Sequence, residues 1–363
     1  MEESFAWETT APESERMSTS RLDAMREELS SRGTEALLIV RNDRIVYEWY
    51  APDHGPEKKH YAASLDKAVV GGTSLMLALN DGLIAVDDPA SKYVPAWKDD
   101  PAKASITVRH LATHCSGVEN ASEKRELGGG RTKAQNLKEL PGWKGAFWRH
   151  EPNPFTIARD EAPVIFAPGS EYAYSNTGMA MLAYAVTAAL KGSTHEDIRT
   201  LLRERIMQPI GVANDEWSIG YGKTFETDGL PLVANWGGGA HTARAVARVG
   251  RLMLRRGNWE GKQLVDPAWV DAVTGYGGTP VPANPRNEPG SSPGLGWWTN
   301  ASGAFLPLPV DAYWGHGAGN QILLVVAMLD LIVVRFGSQF ADALAGGAHD
   351  FIFTPIMEAS SSR

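Results

Sequence analysis

The sequence predicts an α+β fold in which an antiparallel sheet is built from both chain ends and flanked by helices, with a mainly helical second lobe. Three observations carry that reading. Apolar, β-rich runs occur near the N-terminus and again in the last third of the chain. The stretch between them carries helical spacing instead of strands. Strand and helix therefore do not alternate throughout, as a doubly wound parallel sheet requires.

Each element follows from its spacing. Leu22, Met25 and Leu29 recur every three to four residues, which predicts an amphipathic helix over 18–32. Ala36 to Val40 and Ile45 to Tyr50 are apolar runs around the polar turn Arg41-Asn42-Asp43-Arg44, a hairpin pattern. Residues 64–80 turn helical and close at Asn80-Asp81-Gly82. The stretch 119–160, rich in Gly, Lys and Trp, lacks clear periodicity and reads as a long inserted loop. After the turn Pro168-Gly169 a short strand is expected, and Tyr174-Ser175-Asn176 opens a helix to about Leu190. Further helices are expected over Glu196–Ile206 and, capped by Gly237-Gly238-Gly239, over His241–Arg255. Strands return at Leu295–Thr299, Ala312–Trp314, Gln321–Ala327 and Leu331–Phe336, before a last helix at about 348–359. The expected division is a sheet domain of residues 1–63 plus 290–363 and a helical domain of residues 64–289.

Composition excludes several functions. The chain of 363 residues is 43% hydrophobic, too apolar for a disordered tail and too long for a disulfide miniprotein. Its net charge of −8 offers no basic stripe to replace phosphate counterions, so no nucleic-acid partner is expected. No apolar run reaches the ~18 residues of a membrane span. The acidic start Met1-Glu2-Glu3-Ser4 has no apolar leader core, so a cytoplasmic location is expected, or a periplasmic one if a leader has been removed. A single cysteine, Cys115, forms neither an internal disulfide nor a thiolate metal site.

Three short motifs carry chemistry. In Ser64-Leu65-Asp66-Lys67 the serine and lysine stand three apart at a helix start, on one face, with Cβ atoms roughly 5–6 Å apart. A lysine there takes the serine's proton if burial and a second cation lower its pKa, while the helix N-terminus favours the alkoxide. The bland alternative is a serine cap beside a solvated lysine, which the apolar flanks Ala62-Ala63 and Ala68-Val69-Val70-Gly71-Gly72 weaken. In Tyr174-Ser175-Asn176, the tyrosine is placed to relay a proton if a lysine stabilises its phenolate, and the asparagine to hold a substrate amide or Lys67. Taken alone, the segment reads as a helix cap beside a core tyrosine. In Trp314-Gly315-His316-Gly317-Ala318-Gly319, small residues on what is expected to be an edge strand let a backbone N–H approach a substrate oxygen.

In this order the three motifs resemble those of the serine β-lactamase and penicillin-binding-protein superfamily, with its S-x-x-K, S-D-N and K-T-G signatures. The Y-x-N form is similar to the class C-like branch, which includes D,D-peptidases, family VIII carboxylesterases and 6-aminohexanoate-dimer hydrolases. Ile106-Thr107 through Ser116-Gly117-Val118 resembles the family's helix and turn, and Leu331-Ile332-Val333-Val334 its last sheet strand. The resemblance implies a β-lactamase/transpeptidase-like fold, with Ser64 as acylated nucleophile, Lys67 as its activator and Tyr174 as second proton carrier. It implies an oxyanion hole of the Ser64 N–H and one near Ala318, with Gly319 the neighbouring register. Asn176, His316, Gly317 and Gly319 would meet substrate, and Cys115 would only pack.

The third motif departs from K-T-G. It lacks the lysine and hydroxyl that help recognise a β-lactam carboxylate, and Lys223-Thr224 lies in the wrong region and precedes Phe225. The expectation is therefore a serine hydrolase acting through an acyl-enzyme on small-molecule esters of small carboxylic acids, the alternative being a β-lactamase or a D-aminopeptidase or amide hydrolase of the same fold. Neither a metal nor a cofactor is implied. His195-Glu196 lacks the H-E-x-x-H spacing, and no G-x-S-x-G elbow exists for an α/β-hydrolase. A catalytically inactive homologue that binds peptides or self-assembles is the non-enzyme alternative. Trp236, Trp297, Trp298 and Trp314 are candidates for the pocket wall.

Overall fold

A computed structural model describes residues 5–122, 136–282, 291–340 and 347–360. It is a mixed α+β fold around one sheet of eight strands. From edge to edge the strands are Glu8–Thr9, Arg44–Tyr50, Thr34–Arg41, Leu331–Gly337, Gln321–Val326, Ala312–Gly317, Trp298–Thr299 and Ser292–Pro293. All pair antiparallel except Glu8–Thr9, which runs parallel to Arg44–Tyr50. The chain ends meet at the centre, where Val334 pairs with Leu38 and Leu331 with Arg41. The hairpin turn places Asn42 and Asp43 at φ 51° and 61°, the left-handed pair a two-residue connection needs.

Both faces of the central strands are covered, so their sequences run apolar without alternation. One face presents Leu38, Val40, Leu323, Val325, Ile332 and Val334 to the main core. The other presents Leu37, Ile39, Leu324, Leu331 and Val333 to Leu22, Met25 and Leu29 of the helix Thr19–Ser31. Ile352, Phe353 and Ile356 of the C-terminal helical segment close the same layer.

The helical middle packs on the first face. Asn176–Ala189 is apolar all round, with Met179 to Val186 buried, as a helix inside a core must be. Ser64 lies in the tight turn Ala63–Leu65, followed by a wide π-type turn over Lys67–Gly72 and the buried helix Thr73–Asn80. Ala63 sits at φ 50°, a region that disfavours a side chain by about 1–2 kcal/mol, so its neighbours must impose it. No helix among the described residues is long and apolar enough to cross a membrane.

Four expectations need correction. The 119–160 stretch contains the helices Gly142–Arg149 and Pro154–Asp160, with residues 123–135 outside the described set. Seven or eight residues make too few turns to show a period, although Asn153-Pro154 is a start signal, its side chain accepting from the Phe155 N–H. Residues 171–175 are not a strand, because Ala173 N–H and Ser175 N–H are spent on the His114 carbonyl and Nδ1. Of Leu295–Thr299 only Trp298–Thr299 joins the sheet, since Leu295 and Gly296 donate instead to the Val273 and Ala112 carbonyls. The helix Ala243–Leu254 is capped by Thr242, whose hydroxyl accepts from the Ala245 N–H, and not by Gly237–Gly239.

The strand Ala312–Gly317 presses against the Ser64 turn. A Cβ on Gly317 would stand 2.2 Å from the Ala62 carbonyl and 2.9 Å from the Leu65 nitrogen, both backbone atoms with no room to yield. Gly317→Ala is therefore expected to cost about 1–3 kcal/mol. Urea unfolding checks this as a lower midpoint at unchanged slope. Gly55→Ala, which meets nothing within 4 Å, should stay within about 0.5 kcal/mol of the parent.

Candidate active site

Ser64, Lys67 and Tyr174 converge although Tyr174 lies 110 residues from the serine. Tyr174 Oη donates to Ser64 Oγ at 2.8 Å, and Lys67 Nζ lies 3.0 Å from the same oxygen. Lys67, only 4% exposed, also donates to Asn176 Oδ1 and to the Trp236 carbonyl, each at 2.7 Å.

The direction of these bonds is fixed from the backbone outward. The Asn176 N–H can only donate, so the Asn120 atom facing it at 2.9 Å is the carbonyl Oδ1. The same Oδ1 takes Asn176 Nδ2 at 3.0 Å, which turns Asn176 Oδ1 toward Lys67. The Trp236 oxygen is likewise an acceptor only. Two amine protons are thus committed, and the third position of Nζ faces Ser64 Oγ. A neutral lysine presents its lone pair there.

Burial lowers the Lys67 pKa to about 7, against the opposing pull of Asp66. The sequence reading asked for a second cation beside it; burial does that work here. Tyr174 is shifted the opposite way. Burial raises its pKa well above the ordinary tyrosine value, with the Ser64 hydrogen bond opposing, so the phenol keeps its proton at neutral pH. Lys67 Nζ sits 4.8 Å from the Tyr174 ring centre.

The cleft above Ser64 is walled by His114, Trp297, Trp298, Gly315 and His316. His114 packs on the Tyr174 ring at 4.6 Å, and burial with the Lys67 charge lowers its pKa to about 3, leaving it neutral. Burial also holds His316 below its usual pKa, with Nε2 donating to Asn320 Oδ1 at 3.2 Å. Trp297 and Trp298 line the cleft, but Trp314 is core, packed on Phe305 and Phe353. The Trp236 ring is also core, against Phe147 and Phe155, while its carbonyl reaches the site.

The third-motif glycines lie beside the serine turn but not alike. Gly317 is the packing contact already described. The Gly319 N–H is occupied by Gln339 Oε1 at 3.2 Å, whereas Ala318 is exposed at the head of the turn. Arg335, fully buried, holds that turn by donating to the Gly319 and Asn320 carbonyls, and is anchored on Thr34 Oγ1 at 2.9 Å. Cys115 is buried, with Sγ 3.4 Å from the Thr113 carbonyl.

Sequence reasoning missed four contributors: Asn120, His114, Arg335 and the Trp236 carbonyl. Asn120 stands in an Asn-Ala-Ser tripeptide with no local pattern to mark it, 56 residues from its partner Asn176. A main-chain oxygen leaves no trace in a sequence at all.

A 6-aminohexanoate-dimer hydrolase of Paenarthrobacter ureafaciens is 24% identical over 271 residues, which is 71% of this chain and 61% of that protein. The chain thus spans less than two thirds of that hydrolase. A family VIII carboxylesterase structure superposes with a TM-score of 0.68 at 15% identity, covering 98% of each chain. A penicillin-binding-protein homologue from Caulobacter crescentus superposes at 0.67 and 16% identity, over 95% of this chain and 98% of that one. These likenesses show the fold, and residues 22–350 match the beta-lactamase family itself. The chain belongs to the beta-lactamase family.

Proposed function

We propose that the protein is a serine hydrolase that cleaves esters of small carboxylic acids through an acyl-enzyme on Ser64. The observation that carries this reading is the position of Ser64 Oγ, 3.0 Å from a buried amine and 2.8 Å from a buried phenol. Neutral Lys67 accepts the hydroxyl proton as Oγ attacks the carbonyl carbon. Tyr174 passes a proton to the departing alkoxide and is resupplied from Lys67. Water then attacks the acyl-enzyme by the reverse route, releasing the acid and restoring Ser64. The oxyanion is assigned to the N–H groups of Ser64 and Ala318, the occupied Gly319 N–H favouring Ala318.

The preference for neutral esters is supported by the charge of the cleft. Among the described residues lining it, Lys67 is the one cationic side chain, and its protons are committed within the site. His316 is held neutral by burial. Nothing there pairs with a substrate carboxylate as a charged group would. The likeness to a family VIII carboxylesterase agrees, while the similarity to a 6-aminohexanoate-dimer hydrolase makes amides the rival substrate. Measured in parallel, kcat/KM should be highest for short p-nitrophenyl acyl esters, lower for a D-alanyl peptide or small amide, and lower still for nitrocefin. A wide margin for nitrocefin or the amide reverses the ranking.

Ser64→Ala should abolish turnover and fluorophosphonate labelling, and ester hydrolysis retained by the purified variant sinks the mechanism. Tyr174→Phe and Lys67→Ala should each cost on the order of 10²–10⁴-fold in kcat.

The pH profile follows from the sign of the Lys67 shift. The neutral amine is the working form, so kcat/KM should rise with pH and reach half its plateau near the Lys67 pKa of about 7. Lys67→Arg, whose guanidinium keeps its proton, should lose activity across the range without recovering at high pH. A wild-type profile flat from pH 5 to pH 9 contradicts the assignment.

A further inference from the structure

Asp66 lies inside the S-x-x-K motif yet takes no part in the proton transfers above. It is fully buried, as is its partner His241 at 2% exposed. Asp66 Oδ1 accepts from His241 Nε2 at 2.9 Å, and Oδ2 accepts from the Gly239 N–H at 2.6 Å. A Cβ on Gly239 would stand 2.5 Å from Oδ2, so only glycine brings its backbone against the carboxylate. The Gly239 carbonyl in turn accepts from the Ala62 N–H at 2.9 Å, and His60 pairs with His241 in a short antiparallel ladder. Residues 236–241 are thereby tied to both flanks of the serine turn. Trp236, three residues before Gly239, supplies the carbonyl that holds Lys67 Nζ.

From this geometry we infer that the buried Asp66–His241 pair is the positioning device of the site: it fixes the Trp236 carbonyl against Lys67, and its negative charge sets how readily Lys67 carries a proton. The inference rests on the hydrolase reading above. A buried carboxylate is costly unless its oxygens are bonded, and both are. Its field opposes the effect of burial on Lys67. Among the described residues, the other ionisable groups around the pair and the amine are Tyr174 and His114 beside Lys67, and Tyr61 and Tyr221, which feel the Asp66 charge. Tyr174 and Tyr221 keep their protons because burial raises their pKa values, and His114 is neutral. Among these described groups Asp66 is the one carboxylate.

The sign is definite. Removing that charge destabilises the Lys67 ammonium, so the acid limb of kcat/KM moves to lower pH. In Asp66→Asn the limb is expected to fall by about one pH unit. Its kcat should drop about tenfold with KM little changed, because the amine is less well aimed. His241→Ala should show the same loss of kcat, and His241→Gln, which keeps an N–H for Oδ1, should restore most of it. The assays use the full chain, p-nitrophenyl acetate, fluorophosphonate labelling of Ser64, and circular dichroism to confirm folding.

A folded Asp66→Asn with wild-type kcat and an unmoved acid limb overturns the inference. Should Asp66→Asn not fold, the His241 variants decide: His241→Ala equal to wild type overturns it, and loss in Ala with rescue in Gln supports it. Wild-type protein that fails to label overturns the hydrolase reading and this inference with it. A labelling wild type with indifferent variants overturns this inference alone.

Discussion

An amine taken out of water must have its protons accepted, and the oxygens that accept them decide where its lone pair points. In this chain Asn176 Oδ1 and the Trp236 carbonyl take two protons of Lys67, leaving its third position on Ser64 Oγ. Much of the surrounding architecture secures those two oxygens. Asn120 orients the first through a backbone N–H that can only donate. The ladder between His60-Tyr61 and Ala240-His241 secures the second, with Asp66 bonded behind it. The strand Ala312–Gly317 braces the serine turn from the sheet side, with no Cβ intervening at Gly317.

Burial acts on the lysine and the tyrosine in opposite directions, and chemistry depends on the contrast. Desolvation penalises the charged form of each, lowering the lysine pKa and raising that of the tyrosine. As the pH rises past about 7 the neutral lysine becomes the prevailing form, while the tyrosine keeps its proton. Ser64 then sits between a group that accepts a proton and one that donates, which a hydroxyl needs if it is to lose one proton and have another delivered nearby. A phenolate at Tyr174 would instead confront Ser64 with two acceptors. Neutral His114 against the tyrosine ring keeps the surroundings free of a charge that would disturb this balance.

What was legible in the sequence depended on the range of the interactions involved. The central strands announced themselves because Leu37–Val40, Ile322–Val326 and Leu331–Val334 are covered on both faces and so run apolar. Ser64 and Lys67 were legible because one helical turn joins them. Tyr174 and Asn176 needed the resemblance, since a cap beside a tyrosine is ordinary on its own. Asn120 and Asn176 are 56 residues apart, and the Lys67–Trp236 contact spans 169, so neither has a local pattern. The two short helices of 142–160 fell below the length at which a period is visible. Arg335 inside an apolar strand was, like the Asn153-Pro154 helix start, a missed signal open to reading, because a charge at a core position must be bonded to something. It is bonded to the turn that carries Ala318 on its outer side.

The departure from K-T-G acquires a physical meaning from the same electrostatics. A lysine at the third motif would place a second cation beside Lys67, helping to drive off its proton and offering a charged partner to a substrate carboxylate. His316, neutral when buried, does neither. Burial alone then has to lower the Lys67 pKa, and the carboxylate of Asp66, one residue away in the chain, works against it. A site with this balance keeps its base near the middle of the physiological range while presenting a cleft walled by Trp297, Trp298 and His114. On the proposed ester-hydrolase reading, substrate selection there falls to the shape and polarizability of a neutral acyl group, because among the described residues lining the cleft Lys67 is the one cationic side chain and its protons are held by Asn176 and Trp236.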